Sequence, residues 1–450
     1  MRVLLIALQN TLPGPATLDE QLHWAELGSP MRTARMEEEH VLALARSMRD
    51  GGRLAPMLAC LENSSLYARA VQLNLPVIPV SSASARNPFS QWRLWRWQRR
   101  HPRLLVQTVG QDAMPLGRSV LRMRQPGGTL LAHAFLLRAP TPQSLAGKPF
   151  LSAHKVLCGS RHVQERLPAA KAAKSSTGAT EQGGQAGESI QTAFSEYGEK
   201  GRTLRLGGDF LTLAAPGMNL DDFAPASPWG QAEAQTAAHC AEAEQPCRQR
   251  FVFGLADALT PRSGAQLVTR AMAAIWQRDD LPPWEVRALG GGPRYAELLE
   301  EAENLGVSSR LCLLNEQALP DVLQHCHAWI SPGSSPEELP EGLWAGMAAC
   351  LPTVCSKSPL HRERLKLGGH APADAALLVE ENDPQALAKA MIDIMQDASL
   401  RRRFTQGGQP LRSHIGLESF AARTCSLYQQ WCRQLGWLEP PQPSEDSPQA

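Results

Sequence analysis

Short apolar runs alternate with stretches of helical periodicity along the 450-residue chain, and this alternation occurs in two separate regions. Near the N-terminus, RVLLIAL and RLAPMLACL have the length and composition of buried strands, and EEEHVLALARSMRDGG between them has a helical pattern ended by glycines. In the second half, the strand-like RFVFGLADAL precedes the helical LVTRAMAAIWQR. Because strands that alternate with helices form parallel, doubly wound sheets, the sequence predicts an α/β fold with two Rossmann-like halves and an interdomain cleft.

The regions between the two halves differ from them in composition and indicate the domain boundaries. Residues 168–200 and 227–249 are rich in Ala, Gly and Gln with few large apolar residues, so we expect flexible insertions there. The predicted organisation is an N-terminal Rossmann-like domain (1–167), the first insertion (168–200), a connector (201–226), the second insertion (227–249), a C-terminal Rossmann-like domain (250–418), a C-terminal helix that packs back on the N-terminal domain (419–437) and a disordered tail (438–450).

The bulk composition excludes several classes of protein. A net charge of +1, with 43% hydrophobic and 20% charged residues, lacks the basic excess of a general nucleic-acid binder. Without 18 consecutive apolar residues no segment is expected to span a membrane, and MRVLLIAL reads as a first buried strand rather than a signal peptide. Ten cysteines without a CxxC pair indicate free thiols in a reducing, cytoplasmic setting.

Two tracts contain residue types that bind metals. His325-Cys326-His327 is one, but positions i and i+2 point the same way only on a strand and no second ligand pair lies nearby. Asp221-Asp222 lies in the connector rather than in a loop suited to a metal-binding Asp-x-Asp. We therefore predict no metal.

A glycine run follows a predicted strand in the C-terminal half. Gly290, Gly291 and Gly292 come directly after the strand WEVRAL and before a helix. Glycines at such a turn either let a phosphate approach the backbone or form a tight structural connection. Both interpretations of this turn stay open from the residues alone.

A second loop, at the end of the predicted strand AWISPG, leads into a helix that begins at Pro340. The N-terminus of a helix offers free N–H groups and a positive dipole end, which suit a diphosphate. Glu337, Glu338 and Glu341 crowd this end. They either compensate the helix dipole or accept hydrogen bonds from the hydroxyls of a bound sugar.

The segment SPGSSPEELPEGLWAGMAACLPTV resembles the donor-site motif of retaining glycosyltransferases of family 4, which have the GT-B fold. That motif has Pro-Ser at a strand end, then Glu-x7-Glu, and closes with Met-Ala-x-Gly-x-Pro. By spacing, Glu337 takes the position of the first Glu, Ala345 that of the second and Cys350 that of the glycine. The resemblance implies that Glu337 contacts the donor sugar, whereas the contact to the nucleotide ribose made by the second Glu is missing.

Other segments extend the resemblance over most of the chain. DALTPRSGAQLVTRAM resembles the family segment whose Arg and Lys hold the donor diphosphate, but Ala258 and Ser263 occupy those two positions. Arg262 either supplies the lost charge or is a solvated loop arginine, and Arg294 is a second phosphate contact implied after the glycine run. PGMNLDDFAP resembles the connector that enters the C-terminal domain.

In the N-terminal half, HAFLL places His133 at a predicted strand end, where the family has a histidine that faces the sugar, although a lone histidine is more often structural. Gly14 in LPGPA corresponds loosely to the family's glycine loop after the first strand. The resemblance implies Glu337 and His133 as catalytic residues and a donor-binding set made of Gly14, Arg262, Gly290, Gly291, Gly292, Arg294, Glu338, Leu339 and Glu341.

The resemblance also implies the reaction. The N-terminal domain would bind the acceptor and the C-terminal domain the nucleotide-sugar donor, with retention and with neither metal nor cofactor, since the nucleotide sugar is a substrate. The acceptor would be a glycan or a lipid-linked sugar in cell-surface polysaccharide or lipopolysaccharide synthesis. Ala258, Ser263 and Ala345 leave open a second hypothesis, in which the chain is a degenerate GT-B protein that acts as a binding or scaffolding partner.

The stretch SQWRLWRWQRRHPRLL contains five arginines and three tryptophans and no acidic residue. Residues 91–103 either form a membrane-surface helix or a basic helix whose tryptophans pack on the sheet. The first alternative would place the enzyme peripherally at the inner face of the plasma membrane, and nucleic acid is not expected as a partner.

Overall fold

The computed structural model describes residues 1–8, 18–81, 87–122, 128–137, 153–166, 211–221, 223, 250–256, 264–290, 294–314, 319–333, 340–369 and 371–439. The insertions expected at 168–200 and 227–249 lie outside these residues. The chain divides into two compact units, an N-terminal unit of residues 1–14, 37–215 and 420–450 and a C-terminal unit of residues 15–36 and 216–419.

The N-terminal unit contains a seven-stranded parallel sheet in the order β3-β2-β1-β4-β5-β6-β7. The prediction that the apolar runs form buried strands is confirmed. Strand β1 is buried from its second residue onward, and β4 and β5 are buried throughout. The strands are β1 Arg2–Ala7, β2 Ala55–Leu61, β3 Val77–Val80, β4 Leu104–Val109, β5 Thr129–Phe135, β6 Lys155–Cys158 and β7 Leu211–Leu213.

The helices of this part of the chain are α1 Leu18–Gly51, α2 Ser65–Gln72, α3 Pro88–Gln98, α4 Met114–Arg122 and α5 Arg161–Arg166. Helix α3 begins where the sequence favours it, because Asn87 accepts hydrogen bonds from two backbone N–H groups and Pro88 occupies the first turn. The sequence predicts that α1 begins near Glu37, but the helix begins at Leu18. The acidic run at Glu37 therefore lies inside a longer helix and not at its N-terminus.

The C-terminal unit contains a six-stranded parallel sheet in the order β10-β9-β8-β11-β12-β13. Its strands are β8 Phe251–Ala256, β9 Trp284–Leu289, β10 Leu311–Leu314, β11 Ala328–Ser331, β12 Thr353–Ser356 and β13 Leu377–Val379. In each sheet the second and third strands of the unit lie on one side of its first strand and the later strands lie on the other side, as in a Rossmann fold. The predicted α/β class with two parallel sheets is confirmed.

The helices of the C-terminal unit are α6 Ala265–Ile275, α7 Tyr295–Asn304, α8 Leu319–Gln324, α9 Pro340–Ala348, α10 Pro359–Leu365, α11 Pro372–Ala375, α12 Pro384–Gln396 and α13 Ala398–Ile415. Several begin at a proline, which fixes the backbone of the first turn and lacks the N–H that would go unpaired there. Pro340 confirms the helix start predicted from the sequence. No helix in the described part of the chain is long and apolar enough to cross a membrane.

A last helix, α14 Leu417–Gln434, contributes its apolar face to the core of the N-terminal unit. Phe420, Tyr428 and Trp431 are buried there with residues of α1 and of the sheet. The ring of Phe420 lies edge-on to His40, with centroids 4.7 Å apart. The core of this unit is thus closed by residues that come more than 200 positions after its last strand.

Both units use a histidine to extend a strand pairing by one residue. The backbone N–H of His154, just before β6, donates to the Leu131 carbonyl, and its ring Nδ1 accepts from the Leu131 N–H at 3.0 Å. His327, just before β11, makes the same pair of bonds with Val252, with an Nδ1 distance of 2.9 Å. Each ring nitrogen therefore replaces a backbone acceptor and must be unprotonated to do so.

Burial lowers the pKa of both histidines to about 4, from an ordinary value of 6.5. In the unfolded chain they protonate as the pH falls below 6.5, whereas in the folded chain they stay neutral until about pH 4. The stability that depends on the neutral rings is therefore complete above pH 6.5 and is lost progressively as the pH falls from 6.5 to 4.

Between pH 7 and pH 4.5 the free energy of unfolding of the wild type is expected to fall. For His154→Asn and for His327→Asn we expect this fall to be smaller than in the wild type by about 2 kcal/mol each. The asparagine oxygen keeps an acceptor near the Nδ1 position but does not titrate. Urea unfolding at the two pH values measures the difference. A pH dependence identical to that of the wild type would show that these rings do not titrate in this range.

Candidate functional site

The carboxyl ends of β8, β9, β11 and β12 lie at one edge of the C-terminal sheet, where ligands bind in folds of this type. At this edge Gly264, the residue before α6, has a φ of +80°. A Cβ at Gly264 would lie 2.8 Å from the backbone carbonyl carbon and oxygen of Pro332, just after β11. The start of α6 and the first residues of the loop after β11 are thus in direct backbone contact.

The glycine turn after β9 is also at this edge. Gly290 has a φ of +149°, a conformation essentially restricted to glycine, and its N–H donates to the Leu314 carbonyl at 3.4 Å. Arg294 lies in the turn before α7, and its guanidinium pairs with Glu297 at 3.1 Å. Position 290 therefore favours glycine for its backbone, and the guanidinium of Arg294, a predicted phosphate contact, pairs with a neighbouring carboxylate.

Helix α9 is fixed to the sheet through Trp329 of β11. The indole N–H donates to the Gly342 carbonyl at 2.9 Å, in the first turns of α9. A Cβ at Gly346 would lie 2.5 Å from the Trp329 side chain, and one at Gly254 of β8 would lie equally close to its ring. Two glycines therefore admit a fully buried tryptophan that sets the position of α9 on the sheet.

Ala345, which the sequence predicts at the position of the second motif carboxylate, is completely buried in an apolar cluster with Leu343, Trp344 and Met347. An ionised carboxylate in that cluster would be costly unless it were paired. The local packing of this chain is therefore adapted to a methyl group at this position.

The C-terminal end of α9 is followed by a residue with a left-handed backbone. Cys350, predicted from the sequence to stand at the position of a family glycine, has a φ of +57°, in the region that glycine adopts readily. The guanidinium of Arg412 donates to the Ala348 carbonyl at 2.5 Å and to the Phe223 carbonyl at 2.6 Å. This arginine satisfies a carbonyl in the last turn of α9 and ties that end to the connector.

A buried histidine joins the ends of β11 and β12. His361, in the first turn of α10, is fully buried and has Nδ1 3.0 Å from the Ser356 hydroxyl and 3.1 Å from the Ser356 carbonyl. Its Nε2 lies 3.4 Å from the Ser331 hydroxyl, and the Ser356 hydroxyl donates to the Gly333 carbonyl at 2.6 Å. The first residues of the loop after β11 are thereby bonded to β12.

The acceptor in this cluster fixes one proton of His361. The Ser356 carbonyl only accepts, so Nδ1 carries a proton and donates to it. The Ser356 hydroxyl proton is directed to the Gly333 carbonyl. We call this cluster the His361 network (Ser331, Gly333, Ser356 and His361).

In the N-terminal unit His133 is buried inside β5, two residues before the end of the strand rather than at it. Its Nδ1 is 2.5 Å from the hydroxyl of Thr108 on the neighbouring strand. The methyl group of Thr108 in turn lies against Gly117 of α4, where a Cβ would approach it to 2.4 Å. The contacts described for His133 are thus those of a hydrogen-bonded core residue.

The remaining predicted site residues lie outside the residues that the structure describes. They are Gly14, Arg262, Gly291, Gly292, Glu337, Glu338 and Leu339, together with Ala258 and Ser263, and for Glu341 only the helical backbone is described. Of the predicted set, the structure therefore places Gly290 and Arg294 at the edge of the C-terminal sheet. Glu337 stays a prediction.

The tract His325-Cys326-His327 does not form a ligand cluster. His325 is exposed, the Cys326 thiol is buried against the Val322 carbonyl, and His327 pairs with β8 as described above. Across the described ranges no group of three or more His, Cys, Asp or Glu side chains is arranged to hold a metal ion.

Comparison with known sequences finds similarity in the C-terminal unit. The family model of "Glycosyl transferases group 1" matches residues 244–410, which lie within this unit. An exopolysaccharide phosphotransferase of Streptomyces coelicolor, SCO2592, is 28% identical over 153 residues, which are 34% of this chain and 15% of that protein. The C-terminal unit is therefore similar to the glycosyl transferases group 1 family over residues 244–410, and the chain spans a small part of the length of the Streptomyces relative.

Solved structures extend the likeness to the whole chain. A glycosyltransferase from Rickettsia africae has a TM-score of 0.63 at 13% identity, with 96% of this chain and 98% of that one covered. Anabaena HepE in complex with UDP and glucose has a TM-score of 0.58 at 15% identity, with 95% and 99% covered. The lipopolysaccharide outer core galactosyltransferase WaaB has a TM-score of 0.56 at 9% identity, with 96% and 100% covered. These likenesses show that the chain has the GT-B fold.

Proposed function

We propose that this protein is a glycosyltransferase that moves a sugar from a nucleotide-sugar donor to a glycan or lipid-linked acceptor, in the synthesis of a cell-surface polysaccharide or lipopolysaccharide. The observation that carries the proposal is the group 1 match over residues 244–410. In this part of the chain Gly264, Gly290 and Pro332 lie at the edge of the sheet where the carboxyl ends of the strands meet. The complexes of Anabaena HepE with UDP, with UDP and glucose and with UDP-glucose support a nucleotide-sugar donor.

The proposed reaction is retaining and uses neither metal nor cofactor. The bond between the anomeric carbon of the donor and the β-phosphate oxygen breaks, and the acceptor oxygen bonds to the same face of that carbon. The acceptor proton passes to the leaving diphosphate. The protein then acts by positioning the two substrates and by stabilising phosphate charge with backbone N–H groups at the start of α9.

Glu337 is the proposed contact to the donor sugar. It follows β11 by six positions, in the loop whose first residues are held by the His361 network. A carboxylate there would accept hydrogen bonds from sugar hydroxyls, and bonds to charged groups contribute about 1.5–3 kcal/mol each.

We expect Glu337→Gln to lower transfer or donor hydrolysis by at least about tenfold, since the charged acceptor is lost while the shape is kept. The measurement is calorimetry with UDP, GDP, ADP and their sugar forms, followed by a transfer assay with the nucleotide sugar that binds. Glu380→Gln, a change of an exposed carboxylate that pairs with Lys357, is the matched control. A wild-type rate in the Glu337 variant would remove this residue from the mechanism.

A second candidate is a degenerate GT-B protein that binds or scaffolds without transfer. The buried methyl group of Ala345 favours it, because the apolar packing at this position holds no carboxylate that could bind a nucleotide ribose. Ala258 and Ser263 remove two further charges of the family motif. If none of the nucleotides produces heat on titration, this candidate replaces the enzyme.

A further inference from the structure

Helix α3 presents an aromatic surface to solvent. Phe89, Trp92 and Trp95 are 73%, 52% and 40% exposed, and they are the aromatic side chains among the large exposed hydrophobics of the described residues. Their spacing of three places them along one side of the helix. Ser90, Leu94 and Gln98 on the opposite side are buried.

The burial of the three tryptophans tests whether they pack on the sheet. Trp97 is half-buried and packs on the apolar cluster of the N-terminal sheet, as expected for a helix that covers a sheet. Trp92 and Trp95 do not share that burial. Two of the three tryptophans are therefore not explained by packing on the sheet.

Arginines surround the exposed rings. The guanidinium carbon of Arg96 lies 5.5 Å from the centroid of the Trp92 ring, and that of Arg99 lies 4.7 Å from the centroid of the Trp95 ring. Both pairs have a spacing of four, so each arginine stacks on the ring one turn before it. Arg93 is engaged differently, since it donates to the Pro79 carbonyl and pairs with Glu62 at 3.8 Å.

The charge of this surface is strongly one-sided. Residues 87–103 contain five arginines and no acidic residue, in a chain whose net charge is +1, and all five arginines are exposed. Exposed rings flanked by guanidinium groups match the boundary of a bilayer, where aromatic side chains sit among head groups and arginines meet lipid phosphates.

We infer that the α3 surface, made of Phe89, Trp92, Trp95, Arg96 and Arg99, docks the protein on an anionic lipid bilayer. The aromatic rings enter the head-group region and the two stacked arginines bind lipid phosphates. The inference goes beyond the proposed transfer reaction, and its test does not use that reaction.

The test is co-sedimentation of the full-length protein with vesicles of phosphatidylcholine alone and of equimolar phosphatidylcholine and phosphatidylglycerol. We expect binding to the anionic vesicles and little to the neutral ones. Because a basic side chain near the surface contributes about fivefold in partitioning, Arg96→Gln with Arg99→Gln is expected to lower binding about 25-fold. Arg122→Gln with Arg402→Gln removes two exposed arginines from other helices and is expected to change it less than about twofold.

The aromatic contribution has its own pair of variants. Phe89→Ser with Trp92→Ser and Trp95→Ser is expected to abolish binding, whereas Val71→Ser, at a residue 50% exposed on α2, is expected to leave it unchanged. Circular dichroism and thermal melting check that the variants remain folded, as expected for exposed positions. Equal vesicle binding by the α3 variants and their controls would overturn the inference. So would binding to a single-stranded oligonucleotide without binding to vesicles.

Discussion

Gly264→Ala is expected to lower the free energy of unfolding of the C-terminal unit by about 3 kcal/mol. A left-handed backbone costs an L-residue about 1–2 kcal/mol, and overpacking adds about 1–3 kcal/mol. The added methyl group would overlap with the Pro332 backbone, which has little freedom to move because the Ser356 hydroxyl holds Gly333 next to it. Under the proposed function, the displaced start of α6 also weakens nucleotide binding.

Gly306→Ala is the matched control for this prediction. Gly306 has a φ of +71° after α7, but nothing lies within 4 Å of a Cβ placed there. The variant therefore measures only the cost of a left-handed backbone for alanine, and we expect the free energy of unfolding to fall by about 1 kcal/mol. Urea unfolding followed by circular dichroism compares the two. Equal losses would mean that the contact between Gly264 and Pro332 contributes nothing to stability.

His361→Leu is expected to destabilise the C-terminal unit by about 3 kcal/mol. The variant leaves the Ser356 carbonyl and the Ser331 hydroxyl without the bonds that the imidazole makes, and each unsatisfied buried group costs about 1–3 kcal/mol. It also loosens the connection from β12 to the loop after β11. Nucleotide affinity, if the proposed function holds, should therefore fall together with stability.

Two further variants separate the hydrogen bonds from the volume of the ring. His361→Asn places an amide N–H near the position of Nδ1, so it should recover about half of the loss. His325→Leu, at an exposed histidine of the same unit, is expected to stay within about 0.5 kcal/mol of the wild type. If urea unfolding finds the His361→Leu variant as stable as the wild type, the network does not brace the loop.

Much of the fold could be predicted from the sequence because burial on both faces makes parallel strands nearly continuous apolar runs. RVLLIAL, RLAPMLACL and RFVFGLADAL all form strands at the predicted positions. The start of α9 at Pro340 followed from the fixed backbone of proline. The start of α1 did not, because its first turns lack a strong apolar period and the acidic run at Glu37 resembled a helix start.

The site was less accessible to sequence reasoning. The His361 network joins residues 23 and 30 positions apart, so no local pattern marks it, although the Ser358-Pro359 start of α10 does place His361 in a first turn. Ala345 could be assigned to a motif position, but its burial in an apolar cluster depends on helices elsewhere in the chain. Whether Trp92 and Trp95 face solvent likewise depends on which side of α3 covers the sheet.

The placement of α14 has a consequence for the order in which the protein is made. Residues 216–419 leave the ribosome before Tyr428 and Trp431, which belong to the core of the N-terminal unit. The N-terminal sheet is therefore synthesised first, but part of the apolar surface that covers it is synthesised last. During translation, part of its apolar face stays uncovered until the C-terminal unit has been synthesised. We therefore expect the C-terminal unit to finish folding before the N-terminal unit.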